Sequence, residues 1–382
     1  MTRQYRLISA DGHVVEPPDM WTTYLPKKFH SRAPQLVKDE KGGDAWQLVP
    51  GTAPMPLGLV TNAGPYGKRY EELEWYGATY DTILRGSFEG KARVEEQDFD
   101  GVDAEVLFPS QRTMGAFMAQ EDDDFHLAGL EAYNTWMHDE FMAASPERLI
   151  GLAQMPGVDI ATSVKWLRDA KAAGYKGVII SAFPSGLSQL SAEDDAFWEV
   201  AEEEQMPVHI HSGLRQAGGR SASSFAAAAS NFGRAIGLAE MGGLVGEASG
   251  FMSKFIYSGL HDRFPALQFV AVECGAGWIP HFLEHMDDHY WRNRTWTKTN
   301  LKMLPSDYFR RNWKVTFIRE PFAVATRHWI GVDNLMWSTD YPHHRHDWPY
   351  SRRIVEESMG GVPENERARM ACENARELYR LG

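Results

Sequence analysis

Eight short apolar runs recur along this chain, and they constrain its fold more than any other feature. Amphipathic stretches of helix length, such as 158–173 and 191–205, lie between them. This alternation is typical of βαβ units, so eight strands predict an α/β fold of the (β/α)8 TIM barrel type. The runs are Leu7–Ala10, Ala104–Phe108, Leu149–Gln154, Gly177–Ser181, Val208–His211, Phe269–Glu273, Lys314–Ile318 and Leu335–Ser338.

One long stretch, residues 14–100, separates the first run from the second and does not fit the alternation. Residues 41–90 are rich in Gly, Pro and Tyr, and Ala45–Val49 is typical of a short strand. Disordered segments are poor in aromatic residues, whereas this stretch contains Trp46, Tyr66, Tyr70, Trp75, Tyr76 and Tyr80. We therefore expect a single domain over 1–382 in which 14–100 is an insertion after the first strand that caps the barrel mouth.

Composition narrows the classes of partner. The formal charge of −13, without a Lys/Arg cluster, argues against a nucleic-acid partner. No run approaches the ~20 apolar residues of a membrane span, and the N-terminus leads directly into an apolar strand, so we expect a cytoplasmic protein with no membrane partner. The two cysteines, Cys274 and Cys372, are far apart and form no CxxC pair. Any metal must then be held by His, Asp and Glu.

Side chains that could bind a metal stand where several runs end. Catalytic groups of a (β/α)8 barrel gather at the carboxyl ends of its strands. The first run ends with Asp11 and His13, whose i, i+2 spacing turns both side chains the same way. The fifth offers His209 and His211, of which His211 is nearer the mouth. The sixth ends at Glu273, where an unpaired charge would cost several kcal/mol without a cation.

The eighth run completes a ring of candidate ligands with Asp340 and His343. Packing alone would favour Val, Ile and Leu at four such strand ends, so the joint pattern indicates a metal site. Mixed nitrogen and oxygen donors favour Zn, Mn or Fe over Mg or Ca. Glu273 could bridge two cations, so one or two divalent ions are expected. A single strand histidine such as His209 is more often a hydrogen-bonded core residue.

Other polar residues have weaker signals. A helix face at i, i+4, i+8 carries His281, His285 and His289, which we interpret as structural or surface groups, and His261 is expected at the opposite barrel end. Trp348 indicates a broad apolar pocket for a bulky substrate, or else ordinary packing. Candidate partners for a substrate carboxylate or phosphate, unless they are solvated loop residues, are Arg112, Arg215, Arg319 and Arg345.

Four motifs together resemble the amidohydrolase-2 branch of the amidohydrolase superfamily. They are Asp-x-His at 11–13, Pro-Val-His-Ile-His-Ser-Gly at 207–213, Asp-Arg-Phe-Pro-x-Leu at 262–267 and Ser-Thr-Asp-Tyr-Pro-His at 338–343. The resemblance implies a metal-dependent barrel enzyme, and homodimers are frequent in such families. It places metal ligands at Asp11, His13, His211 and Asp340. Decarboxylases of this branch have a histidine where Glu273 stands, so their proton-handling scheme does not transfer.

The resulting hypothesis is a hydrolase that cleaves a small-molecule amide, ester or thioester, including a bulky acyl-CoA thioester. The metal would lower the pKa of a bound water towards ~7, and Asp340 or Glu273 would take its proton. His343 would serve a second cation or the leaving group. The alternative is a non-oxidative decarboxylase of an aromatic or cyclic acid, because the aromatic-rich insertion could stack on a ring. A third hypothesis is a metal-dependent binding protein without catalysis.

Overall fold

The computed structural model of the protein describes residues 4–61, 72–110, 113–118, 122–212, 214, 244–346 and 348–382. All eight predicted runs contain strands, and the third run is split in two by Leu152. The strands are β1 Ile8–Val14, β2 Gln35–Lys38, β3 Asp44–Gln47, β4 Met55–Pro56, β5 Ala104–Pro109, β6 Leu149–Gly151, β7 Ala153–Gln154, β8 Val178–Ile179, β9 Val208–His211, β10 Phe269–Val272, β11 Trp313–Phe317 and β12 Leu335–Trp337.

The parallel strands are neighbours in chain order and close into a ring. β1 pairs with β5 and β5 with β6, while β7 to β12 pair successively. The ring closes where β1 meets the segment after β12. There a parallel bridge joins Gly12 to Tyr341, and the Asp340 N–H donates to the Asp11 carbonyl over 2.9 Å. The predicted α/β architecture of eight parallel strands is confirmed.

Alternation along the strands divides the core into two layers. One face of each strand points into the barrel, and the interior cluster consists of side chains from successive strands. Tyr379 belongs to the same cluster and follows the helix Asn374–Leu378, so the C-terminal segment closes one end of the barrel. Interior side chains include Ile8, Ala10, Val106, Phe108, Ile150, Ile179, Val270, Val272 and Met336.

Helices cover the outside of the strands and bury one face each. The helix Asp195–Glu203, for example, buries Phe197, Trp198, Val200 and Ala201, which lie on one side at helical spacing. None of the described helices is both long and apolar enough to cross a membrane. The described α-helices are Met20–Tyr24, Gly90–Asp100, Gly115–Met118, Asp123–Trp136, Ile160–Ala172, Asp195–Glu203, Leu244–Tyr257, Leu260–Arg263, Ile279–Thr297, Pro305–Asn312, Pro321–Ala325, Arg327–Ile330, Ser351–Met359, Glu364–Ala368 and Asn374–Leu378.

The long connection between β1 and β5 contains an antiparallel sheet in the order β2, β3, β4. Its strand β3 begins one residue before the predicted run at 45–49 and ends two residues before it does. Trp46 is buried there, and its indole N–H donates to the Tyr80 hydroxyl over 2.9 Å. Tyr66 and Tyr70 lie outside the described residues. The cap over the barrel mouth stays a prediction.

Candidate metal centre

A bulge in β1 turns two candidate ligands into the barrel. Ser9 pairs with Glu105 and Gly12 with Leu107, so β1 advances by three residues where β5 advances by two. Without the extra residue, strict alternation would put Asp11 and Ala10 on opposite faces. Ala10 packs in the barrel interior, and Asp11 also reaches the interior site. Because of the bulge, the side chains of Asp11 and His13 both point into the barrel, in the common direction that was predicted.

Side chains from three strand ends, those of β1, β9 and β12, converge around the ring of His13. Its Nε2 lies 3.5 Å from Asp11 Oδ1 and 3.2 Å from Asp340 Oδ1. His211 Nε2 lies 3.6 Å from Asp11 Oδ1, and His343 Nδ1 lies 3.3 Å from Asp340 Oδ1. Two groups with potential ligand atoms within 4.8 Å of one another result, Asp11–His13–His211 and His13–Asp340–His343. His13 belongs to both.

The orientation of His13 is set by the backbone of β5. Its Nδ1 lies 3.1 Å from the Pro109 carbonyl oxygen, which can only accept, so Nδ1 carries the proton and Nε2 faces the converging carboxylates. The ring stacks on His343, with centroids 3.9 Å apart and planes inclined by 9°, and meets His211 edge to face at 4.9 Å. Three imidazoles are thus packed around one point.

The polar atoms at this point have hydrogen-bonding capacity that protein groups do not use. Within the described part of the chain, neither carboxylate oxygen of Asp11 or Asp340 accepts a hydrogen bond, and His13 Nε2 makes none. All three side chains are fully buried. Buried polar groups are normally satisfied, because an unmet one costs free energy. Carboxylate oxygens and imidazole nitrogens are donors that suit Zn, Mn or Fe, so these residues fit a divalent cation.

The pKa values of His13 and Asp340 reflect the excess of negative charge in the cluster. Burial alone would lower the pKa of His13, but Asp340, Asp11 and Glu273 together raise it to about 9. Burial raises the pKa of Asp340 to about 7, and the charges of Glu273 and Asp11 add to this while His13 opposes it. A bound cation would stabilise the ionised form of Asp340 in this buried site.

Glu273 lies at the edge of the cluster rather than inside either ligand group. Its Oε2 accepts a hydrogen bond from Ser212 Oγ over 2.8 Å and lies 3.6 Å from His211 Nδ1. Ser212, Glu273 and Asp340 all have left-handed backbone conformations, with φ of 60°, 58° and 61°. Such conformations cost about 1–3 kcal/mol in non-glycine residues and cluster at functional sites. Ser212 was not among the residues predicted from the sequence, although a hydroxyl directly after His211 was the available signal.

His209 differs from His211 in the partners of its ring. Its Nδ1 contacts the Val178 carbonyl oxygen at 2.9 Å and its Nε2 contacts the Tyr379 hydroxyl at 2.7 Å, so both nitrogens have protein partners. Burial lowers its pKa to about 4. This favours the core interpretation over the ligand interpretation. His261 is also buried, and the Trp313 indole N–H donates to its Nε2 over 2.9 Å.

Arg345 and Trp348 are predicted substrate-binding residues that belong to the described part of the chain. Arg112 and Arg215 lie outside the described residues, and Arg345 is exposed. Trp348 lies against the helix Gly90–Asp100, where its indole N–H donates to the Glu96 carbonyl oxygen over 3.4 Å and its ring is 5.6 Å from that of Phe99. The three histidines of the helix Ile279–Thr297 are exposed. Roles of these arginines and of Trp348 in substrate binding stay predictions.

A comparison with protein-family models identifies the family to which this chain belongs. A family model described as amidohydrolase matches residues 86–381, most of the chain. The chain belongs to the amidohydrolase family. The resemblance predicted from the four motifs is confirmed. A search of curated proteins found no match to this amidohydrolase.

Solved structures share the fold of this amidohydrolase at low sequence identity. An amidohydrolase from Mycobacterium avium subsp. paratuberculosis K-10 is 20% identical with a TM-score of 0.74, covering 99% of this chain and 100% of its own. A 5-carboxyvanillate decarboxylase from Sphingomonas paucimobilis is 22% identical with a TM-score of 0.67 and the same coverage. A dihydroxybenzoic acid decarboxylase from Polaromonas sp. JS666, with bound manganese and 2-nitroresorcinol, is 17% identical with a TM-score of 0.64, covering 99% and 98%.

Proposed function

We propose that this protein is a metal-dependent enzyme that removes CO2 from an aromatic carboxylic acid without oxidation. The observation that carries the proposal is the buried cluster of Asp11, His13, His211, Asp340 and His343, whose donors fit a divalent cation. Similar folds belong to decarboxylases of hydroxylated aromatic acids, one of them solved with manganese. This reaction was our alternative from the sequence, and these comparisons favour it over thioester hydrolysis.

One ion fits the geometry better than two. The Nδ1 of His13 is engaged with the Pro109 carbonyl, so only Nε2 can bind a metal. A single nitrogen lone pair serves one ion, and both ligand groups include His13. When bound, the ion would supply Lewis-acid stabilisation of negative charge that develops on substrate oxygens. Elemental analysis of purified protein should give a metal-to-chain ratio near one, and a ratio near two would favour the bridge through Glu273.

The chain must itself deliver a proton to the ring. Loss of CO2 breaks the bond between the ring carbon and the carboxyl carbon and leaves the electron pair on the ring carbon, which takes a proton to give the arene. We assign this step to Glu273 in its carboxylic acid form, which gives its proton to the ring carbon, becomes the carboxylate and is reloaded with a proton from solvent, because its side chain adjoins His211 and is 16% exposed. Ser212 holds that carboxylate through its 2.8 Å hydrogen bond.

The test is turnover of hydroxylated benzoic acids by manganese-loaded protein, followed as CO2 and arene release. Activity should disappear on chelation and return with manganese. Asp340→Asn should lose both metal and activity, whereas Glu273→Gln should keep the metal and lose turnover. His285→Ala, which removes an exposed helix histidine, is the matched control and should stay active. Metal-loaded protein that releases no CO2 from any acid of the panel would refute the proposed reaction.

Hydrolysis is a second candidate reaction, because the Glu273 carboxylate could also serve as a general base. Glu273 could accept a proton from a water as readily as it could donate one to a ring carbon, since it lies beside the ligand cluster and not within it. Amide, ester and acyl-CoA thioester panels on the same protein test this candidate. Chelation-sensitive cleavage in these panels, without CO2 release from aromatic acids, would decide for hydrolysis.

A further inference from the structure

A buried ion pair lies directly behind the ligand cluster, on the outer side of the barrel wall. Arg93, on the helix Gly90–Asp100, and Glu105, on β5, are 1% and 2% exposed. Arg93 Nη1 lies 3.0 Å from Glu105 Oε2, which also accepts from Gln97 Nε2 over 2.8 Å. Such a pair is weak evidence of stability, because desolvation offsets its attraction, so any further role must follow from its contacts.

This pair contacts the place where β1 meets the segment after β12. The guanidinium of Arg93 donates to the His13 carbonyl oxygen and stacks over the ring of Tyr341, with Cζ 4.3 Å from the ring centroid. Glu105 Oε1 accepts from Thr339 Oγ1 over 3.1 Å. The ion pair therefore holds one residue of β1 and two residues of the opposite segment.

Hydroxyl groups extend these contacts to the backbone of the ligands. Thr339 Oγ1 accepts from the Tyr341 N–H over 3.1 Å, and the Thr339 N–H donates to Ser9 Oγ over 2.9 Å. Ser9 Oγ donates in turn to the Asp11 carbonyl over 2.8 Å. At the same junction the Asp11 carbonyl accepts from the Asp340 N–H. The backbones of Asp11 and Asp340 are thus fixed by one hydrogen-bonded network.

The bulge in β1 is matched to this network. A Cβ on Gly12 would lie 3.0 Å from Glu105 Oε1 and 3.6 Å from the Tyr341 carbonyl oxygen. The absence of a side chain at Gly12 lets the Glu105 carboxylate approach the bulge and reach Thr339. Gly12, the residue between the candidate ligands Asp11 and His13, is thus the position at which the network needs a residue without a side chain.

We infer that Arg93, Glu105 and Thr339 are positioning residues that hold Asp11, His13 and Asp340 in the geometry required by the metal. They act on the ligand backbones and on no ligand side-chain atom, so their effect should appear in metal affinity. Groups that orient metal ligands typically change affinity by about 10–100-fold when they are removed. The inference rests on the proposed metal centre but not on the proposed reaction.

Thr339→Val is the most conservative test, because it removes the linking hydroxyl and leaves the buried ion pair intact. We expect the Kd for Mn²⁺, measured by calorimetry on metal-free protein, to rise at least about 10-fold. The visible absorption of the Co²⁺-substituted protein should change as well. Thr339→Ser keeps the hydroxyl and should bind Mn²⁺ within about 3-fold of wild type.

Ser163→Ala is the matched control for loss of a buried hydroxyl. Ser163 Oγ bonds to the Pro156 and Pro184 carbonyls, outside the network, and its loss should lower the Tm without changing the Mn²⁺ affinity. A wild-type Kd and Co²⁺ spectrum in Thr339→Val would overturn the inference, as would an equal loss of affinity in Ser163→Ala. Wild-type protein that binds no Mn²⁺ would overturn the metal centre and this inference, whereas bound Mn²⁺ without CO2 release would overturn only the reaction.

Discussion

Replacing both members of the Arg93–Glu105 pair should cost clearly less than the sum of the two single replacements. In Arg93→Met the aliphatic stem remains, but among the described residues Glu105 keeps only the hydrogen bonds from Gln97 and Thr339, in a site where it is 2% exposed. A buried charge that loses its partner destabilises a protein by about 3–5 kcal/mol. Glu105→Gln should cost a similar amount, because the guanidinium of Arg93 then stays buried without a counter-charge.

In the double variant both charges are gone, so the losses should not add. We expect the loss of unfolding free energy in the double variant Arg93→Met/Glu105→Gln to be smaller than the sum of the two single losses by about 2–3 kcal/mol. Urea unfolding of metal-free protein, followed by tryptophan fluorescence, gives the free energies for the cycle. The exposed pair Arg353–Glu357 on the helix Ser351–Met359 is the control and should show no measurable coupling.

The reasoning would be refuted by either of two results. Single variants that lose less than about 1 kcal/mol would show that water reaches the pair and that its burial is not maintained in solution. Strict additivity in the double variant would show that Arg93 and Glu105 act separately. In both cases the ion pair could not be the rigid support that we infer for the junction of β1 with the segment after β12.

Three further predictions concern the metal and the buried histidines. Mn²⁺ at about 100 times its Kd should raise the free energy of unfolding by about 2.7 kcal/mol, seen as a higher Tm, and Asp340→Asn should remove the shift. His261 has a pKa lowered by burial to about 3, against about 6.5 unfolded, so its contribution to stability is present at neutral pH and lost as the pH falls from 6.5 towards 3. The loss of stability should reach about 2.7 kcal/mol at pH 4.5, measured by urea unfolding. His261→Gln, which still accepts from Trp313, should lack this part of the pH dependence. His209→Leu should lower stability by about 1–3 kcal/mol, because the Tyr379 hydroxyl loses its partner, while elemental analysis shows an unchanged metal content.

The convergence of candidate ligands at the strand ends could be predicted because it depends on local order along the chain. An apolar run that stops at Asp340, or at the pair Asp11 and His13, identifies a strand and its carboxyl end, and parallel strands bring those ends to one side of a barrel. The alternation of side chains then selects which residues face inward. These rules need only neighbours in sequence, so eight runs were sufficient for the fold and for the ring of candidates.

Tertiary structure alone decided how those residues are used. His209 and His211 have the same residue type on the same strand face, but the Tyr379 hydroxyl, 170 residues away, occupies Nε2 of His209. The sharing of His13 by both ligand groups depends on its hydrogen bond to Pro109 on the neighbouring strand. The Arg93–Glu105 pair could not be predicted, because the amino-acid sequence alone does not distinguish a buried charged residue from an exposed one. Burial and long-range pairing arise only when the chain closes its ring, so the sequence determined which groups could bind a metal, and the packing determined which of them converge on one point.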